Sequence, residues 1–221
     1  MLLHPAPPPF LGLLMLDTAF PRLPGDAGHL ASWAMPVRAR VVHGASPQRV
    51  VREGDAALLP PFVDAARMLV AQGAAAITTS CGFLVRWQSE LQAALPVPVW
   101  TSALLKLPEL ERPGVITVDA AALGAAHLLA AGAPADIPIE GLLPGCHLQR
   151  TLLGNAPRLD GDEAEADVLA AAARLLQRRP DVTDLVLECT NLPPFAAALQ
   201  RASGRPVHHL MTLVHERWEF R

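Results

Sequence analysis

The sequence predicts an α/β fold built on parallel sheets, and three observations carry that prediction. Short apolar runs alternate with longer alanine-rich stretches of helical period, and glycines stand where those helical stretches stop. Strands are short and helices long, so run length separates the two kinds of segment, and their regular alternation favours parallel pairing. Finally, 51% hydrophobic residues in a chain of 221 supply a core for one large domain or for two lobes of about 100 residues each.

In chain order, strands are expected over residues 10–16, 37–42, 74–78, 97–100, 114–118, 137–142, 185–188 and 207–210. Helices are expected over 59–71, 83–94, 120–131, 163–178 and 194–202. The helix over 163–178 opens with Asp162, Glu163 and Glu165 and closes with Arg174, Arg178 and Arg179, charges that complement the helix dipole and so read as structural. Gly73, Gly132 and Gly204 each follow a helical stretch, where a glycine can take the left-handed conformation that ends a helix. Residues 17–36, DTAFPRLPGDAGHLASWAMP, have no period and read as a long loop after the first strand. Loops of that length are often functional, although the composition alone equally describes a packed surface loop.

Composition excludes several classes. A net charge of -3, with no interleaved run of arginines and aromatics, offers no field for nucleic acid. The apolar stretch 10–16 is far short of the roughly 20 residues that cross a membrane, and the start MLLHPAPPPF lacks the basic, proline-free character of a signal peptide. No membrane association and a cytoplasmic location are therefore expected. Lys106 is the sole lysine and has no glycine-rich phosphate loop beside it, which argues against a pyridoxal phosphate enzyme. Three cysteines without a C-x-x-C spacing support neither a disulfide framework nor a zinc site. No metal and no cofactor are expected.

The chemistry is expected at two matched places. Cys81 in AAITTSCGFL and Cys189 in LVLECTNLPPF each close an apolar strand and open a helix. In parallel sheets ligands bind beyond the carboxyl ends of the strands, and a helix start presents free N–H groups and a positive dipole end. Both thiols thus sit where a thiolate, and a carboxylate beside it, would be stabilised. Thr78, Thr79 and Ser80 precede Cys81, and Gly82 admits close approach of a ligand. Thr190 and Asn191 follow Cys189, then Pro193 and Pro194, which suit a first helical turn. A single cysteine at a strand end is ordinarily a small buried hydrophobe; it is the pairing that points to a site. Cys146, in LLPGCHLQR, has no such partner and reads as inert, and with His147 it makes only two adjacent ligands.

TTSCGF around Cys81, ECTN around Cys189 and the opening strand and loop LGLLMLDT resemble the aspartate/glutamate racemase superfamily. That group takes in aspartate, glutamate and hydantoin racemases, maleate isomerase and arylmalonate decarboxylase, and the resemblance spans nearly the whole chain. It implies two similar α/β lobes with the active site between them and one cysteine from each. The first lobe would comprise residues 1–100 plus 204–221 and the second residues 101–203. It also implies a substrate pocket lined by Asp17, Thr18, Ser80, Gly82, Phe83, Thr190 and Asn191. Glutamate racemases have C-N-T and C-T-H at their two cysteines, so Gly82, Phe83 and Asn191 mark departures that leave fewer side chains to hold an ammonium or a second carboxylate. Arg22 in the long loop is a candidate clamp, since guanidinium binds carboxylate through two parallel hydrogen bonds.

The implied activity is a cofactor-independent racemase or epimerase of an amino acid or related small carboxylate. Stereoinversion removes a proton from one face of a carbon and returns one to the other, and a thiol of ordinary pKa about 8.5, lowered by a helix start, can serve in either role. Backbone N–H groups would stabilise the carbanion. Alternatives are a maleate-type cis–trans isomerase with a cysteine nucleophile and a non-catalytic carboxylate-binding protein; an arylmalonate-type decarboxylase resembles this architecture with one cysteine fewer. The partner is a small carboxylate or amino acid, and a homodimer is admitted without being specified. His43, after the second strand, is read as a further pocket residue, whereas His208, His209 and His215 read as packing or surface groups.

Overall fold

The computed structural model describes residues 8–219; residues 1–7 and 220–221, assigned above to the first lobe, lie outside the described residues. The first sheet is built from β1 (Phe10–Leu16), β2 (Val37–Val42), β3 (Ala74–Thr79) and β4 (Val99–Trp100), with α1 (Leu59–Ala71) before β3 and α2 (Gln88–Ala94) after it. The second follows with β5 (Pro113–Thr117), α3 (Ala125–Ala130), β6 (Ile139–Gly141), α4 (His147–Leu153), α5 (Gly161–Arg178), β7 (Asp184–Leu187), α6 (Ala196–Ser203), β8 (Val207–His209) and α7 (Leu210–Glu219). Their strand orders are β2-β1-β3-β4 and β6-β5-β7-β8, parallel throughout. The two sheets are thus topological repeats. In each, the chain leaves the first strand toward one neighbour and returns on its other side, so the switch points lie between β1 and β3 and between β5 and β7. That is where open α/β sheets bind ligands.

The apolar runs form strands because both faces are covered. Leu11, Leu13 and Leu14 of β1 and Val115 and Ile116 of β5 are fully buried. α1 brings Phe62, Ala66 and Leu69 to the first sheet, and α5 brings Ala164, Val168, Ala171, Ala172 and Leu175 to the second, a stripe at the helical repeat. Truncating one such leucine to alanine costs about 2–5 kcal/mol in a packed core. α5 starts where the Asp160 carboxylate accepts from the N–H groups of Asp162 and Glu163, a cap that satisfies two of the helix's orphan donors. Gly73, Gly132 and Gly204 all have positive φ, as their helix-ending positions require.

Several expectations need correction. The chain after residue 204 does not return to the first sheet: Val207–His209 pairs with Leu185–Leu187. The cause is local, since the left-handed turn at Gly204 and the short α6 leave no span to cross to the other lobe. α7 then packs on the 3-10 segment Ala103–Glu109, where Lys106 bridges Glu109 and Glu216. The helix expected over 83–94 begins as a 3-10 turn, Gly82–Trp87, before α2. The one expected over 120–131 is confined to Ala125–Ala130, because Asp119 turns the preceding residues by accepting from the Ala121 N–H. α4 was not expected; Pro144 and Gly145 mask its start as a plain turn. Among the described residues no helix is long and apolar enough to cross a membrane.

Candidate active site

Cys81 is held by a run of hydroxyls that finish β3. Thr78 Oγ1 donates to the Trp100 carbonyl and Thr79 Oγ1 to the Thr101 carbonyl, both at 2.7 Å. Thr79 Oγ1 also accepts from the Cys81 N–H at 3.3 Å, and Ser80 Oγ accepts from the Leu16 N–H at 3.0 Å. These hydroxyls are consumed in building the turn rather than left for a ligand. The backbone N–H groups of Phe83 and Leu84 face the Cys81 sulfur, which is the anion cradle expected of a helical start.

Cys189 occupies the matching place after β7. The Asn191 N–H faces its sulfur, and the thiol donates to Asn191 Oδ1 at 3.5 Å. The two turns are tied directly, because Thr190 Oγ1 donates to the Ser80 carbonyl at 2.6 Å. The loop over 17–36 crosses between the lobes and is pinned to the second cysteine turn. The Ala27 N–H donates to the Thr190 carbonyl at 3.1 Å, and Asn191 Nδ2 donates to Asp26 Oδ2 at 2.6 Å. Further out, Asn155 Oδ1 accepts from the Ala19 N–H at 2.6 Å.

Both thiols line one narrow cleft, whose empty volume of about 370 Å³ includes space open to solvent. With them stand Ser80, Gly82, Phe83, Thr190 and Asn191, all anticipated from the sequence, together with Arg22. Arg22 Nη1 donates to Asp26 Oδ1 at 3.0 Å and Nη2 to Thr18 Oγ1 at 2.9 Å, which fixes its guanidinium while leaving other N–H groups for a carboxylate. Asp17 and Thr18 do not line the cleft. Asp17 Oδ2 accepts from the Gly44 N–H at a half-exposed position, and Thr18 serves as the acceptor that orients Arg22. His43 is also outside, its side chain 90% exposed, because Gly44 turns the chain away after β2. The remaining lining is apolar and includes Leu16, Phe20, Pro47, Val51, Val118, Leu152 and Leu153. No local pattern marks these residues, which come from distant turns. Cys146 lies apart, half-buried at the start of α4. Among the described residues no group of three or more His, Cys, Asp or Glu is placed to hold a metal ion.

Burial governs the electrostatics. It pushes the Cys81 thiol up to about 12, with the neighbouring Glu188 carboxyl adding to the rise. The same two causes, in the same order, place Cys189 well above its ordinary value. The expectation that the helix starts lower both thiols is therefore not met in the closed cleft: two N–H contacts at Cys81 and one at Cys189 do not offset the loss of solvent around groups only 7% exposed. Glu188 is the ionisable residue that sequence reasoning missed. It is fully buried, and burial raises its carboxyl to about 8 despite a hydrogen bond from Thr117. Its signal was present in LVLEC, an acid closing an otherwise apolar strand.

No family model matches the chain. In sequence it is 28% identical over 213 residues to a dimethylsulfoniopropionate lyase of Durusdinium sp. clade D, covering 90% of this chain and 70% of that protein. It is 28% identical over 221 residues to dimethylsulfoniopropionate lyase 7 of Emiliania huxleyi, covering 92% of this chain and 64% of the relative. Three further Emiliania lyases of that name are longer relative to it, the chain spanning 44% to 57% of them. In structure it resembles a sulfate-associated variant of arylmalonate decarboxylase (TM-score 0.61, 21% identity, 90% of this chain and 87% of the other). It also resembles allantoin racemase from Pseudomonas fluorescens (0.57, 15%, 91% and 86%). A third neighbour is a Nocardia farcinica maleate cis–trans isomerase variant carrying a covalently bound succinylcysteine intermediate (0.59, 15%, 92% and 88%). Relatives and neighbours alike are enzymes: lyases, decarboxylases, racemases and isomerases.

Proposed function

From the fold it shares with the aspartate/glutamate racemase superfamily, we propose that this chain is a cofactor-independent enzyme that removes the α-proton of a small carboxylate with a cysteine thiolate. We further propose that the reaction is a β-elimination of the kind named for its sequence relatives. The observation that carries the reading is the cleft itself, where two thiols and one arginine stand with Ser80, Thr190 and Asn191 in a lining that is otherwise apolar.

Arg22 holds the substrate carboxylate. One thiolate, Cys81 or Cys189, takes the α-proton; the electron pair forms the carbon–carbon double bond as the β-carbon–sulfur bond breaks. For dimethylsulfoniopropionate the products are acrylate and neutral dimethyl sulfide, and the new thiol later returns its proton to water. Backbone N–H groups of Phe83, Leu84 and Asn191 lie beside the sulfurs, where negative charge is carried. A sulfonium substrate also answers the raised thiol values, since a cation beside a thiol favours its ionised form. An amino dicarboxylate fits less well. Asp26 is engaged by Arg22, Gly28 and Asn191, and among the described residues no second cation lines the cleft to hold another carboxylate.

The second reading, a two-base racemase or epimerase, rests on the placement of one thiol on each lobe, which stereoinversion requires and elimination does not. Purified protein supplied with dimethylsulfoniopropionate, D- and L-amino acids, hydantoins and maleate in deuterated water separates the readings. Elimination releases dimethyl sulfide, racemisation incorporates deuterium at a retained α-carbon, and maleate isomerisation yields fumarate. Deuterated amino acid without dimethyl sulfide would replace the first reading by the second.

A further inference from the structure

Glu188 is unusual for a residue that touches no ligand space. It does not line the cleft, yet it is fully buried and directly precedes Cys189. Its Oε2 accepts from Thr117 Oγ1 at 2.7 Å, and its Oε1 has no hydrogen-bond partner. Among the described residues it forms no ion pair. The far side of the carboxyl is closed by the backbone of the other cysteine turn. A Cβ on Gly82 would overlap Oε1 and the Glu188 carbonyl and come within 2.9 Å of Cδ, so the glycine after Cys81 makes room for this acid. A carboxyl wedged between the two thiol turns with one oxygen unsatisfied carries a desolvation cost that packing alone does not explain.

We propose that Glu188 is a positioning residue that sets the charge of the thiol pair: while its carboxyl is neutral one thiol can ionise, and its own ionisation suppresses both thiolates. The proposal rests on the thiol-based reading above. Among the described residues no cation pairs with Glu188, and neighbouring like charges disfavour each other, so its carboxylate and a thiolate of the pair are not favoured together. The ionisable groups around it are few. Cys81 and Cys189 stand on the turns to either side, and the 17–36 loop adds Arg22, which favours the Cys81 thiolate, and Asp26, which disfavours that of Cys189. From β5 comes only the neutral Thr117. The direction is consistent in all three groups: burial raises the carboxyl to about 8, and Glu188 raises both thiols.

The test needs no substrate, so its failure is distinguishable from failure of the functional reading. Glu188→Gln keeps the shape and stays neutral at every pH. Site-resolved iodoacetamide labelling of the full chain, read by mass spectrometry across the pH range, is expected to match the parent at Cys81 and Cys189 near neutral pH. Well above pH 8 the variant should label about tenfold faster, since each unit of thiol pKa relieved is tenfold in thiolate. Cys146 serves as an internal control and should label alike in both proteins. Superimposable pH curves for Cys81 and Cys189 would overturn the assignment. Infrared titration of the parent protein gives an independent check should the variant fold poorly. A protonated-carboxyl band should persist through neutral pH and vanish through about 8; its loss in the ordinary carboxylate range would equally overturn it. Where turnover is established, the alkaline fall of the rate should be absent in Glu188→Gln.

Discussion

Thr190 Oγ1 donates to the carbonyl of Ser80 at 2.6 Å, joining the turn that carries Cys189 to the turn that carries Cys81. Both residues are buried, so the bond is shielded from water and sets how the two thiol turns face each other.

Thr190→Val keeps the shape and removes that donor, leaving the Ser80 carbonyl unpaired. Urea unfolding should show a loss of about 1–3 kcal/mol, and Thr190→Ser, which restores the hydroxyl, should recover most of it. Equal stability for the valine and serine variants would mean that the bond adds nothing.

Cys81→Ser and Cys189→Ser should each fold, as judged by circular dichroism and the thermal midpoint, because each change is nearly isosteric. Under the racemase reading both lower turnover at least about 100-fold, the usual contribution of a positioned acid or base. Under the elimination reading the drop is concentrated in the single cysteine that takes the α-proton. Unaltered turnover in both variants is incompatible with either.

Arg22→Gln removes the one cation that lines the cleft among the described residues. The KM for a carboxylate substrate should rise about 10- to 100-fold, as loss of a charged hydrogen bond predicts. The effect should fall on KM more than on kcat, because the carboxylate is bound before and during proton removal. A change confined to kcat would place Arg22 in the chemical step instead.

His209 is held down to about 4 from 6.5, chiefly by burial and then by the neighbouring His208. The folded state therefore binds its proton less tightly than the unfolded chain does. Stability from this group is fully present above 6.5 and is lost as pH falls toward about 4. Urea midpoints measured across that window should decline more steeply for the parent than for His209→Asn; parallel slopes would show that the histidine does not drive the decline.

Much of the fold was legible because its signals are local. Eight apolar runs became eight strands, several with their expected bounds, such as Phe10–Leu16 and Val37–Val42. Leu59–Ala71 is helical as its period predicts, and the glycines expected to end helices have positive φ. The matched settings of Cys81 and Cys189 were equally visible, since a strand-to-helix junction is written in contiguous residues.

What the sequence by itself determined, then, was the kind of each segment and the two places where a thiol would meet a helical start. Only the tertiary structure decided what those thiols share. It assigned Val207–His209 to the second sheet, excluded Asp17, Thr18 and His43 from the cleft, drew in Arg22 and the apolar walls, and set Glu188 against Gly82. The physical reason is range. Strand and helix preferences act over a few neighbouring residues, whereas desolvation and charge depend on every atom within several ångströms, wherever it lies in the chain. That is why helix starts predicted lowered thiols, and why burial between two lobes raised them.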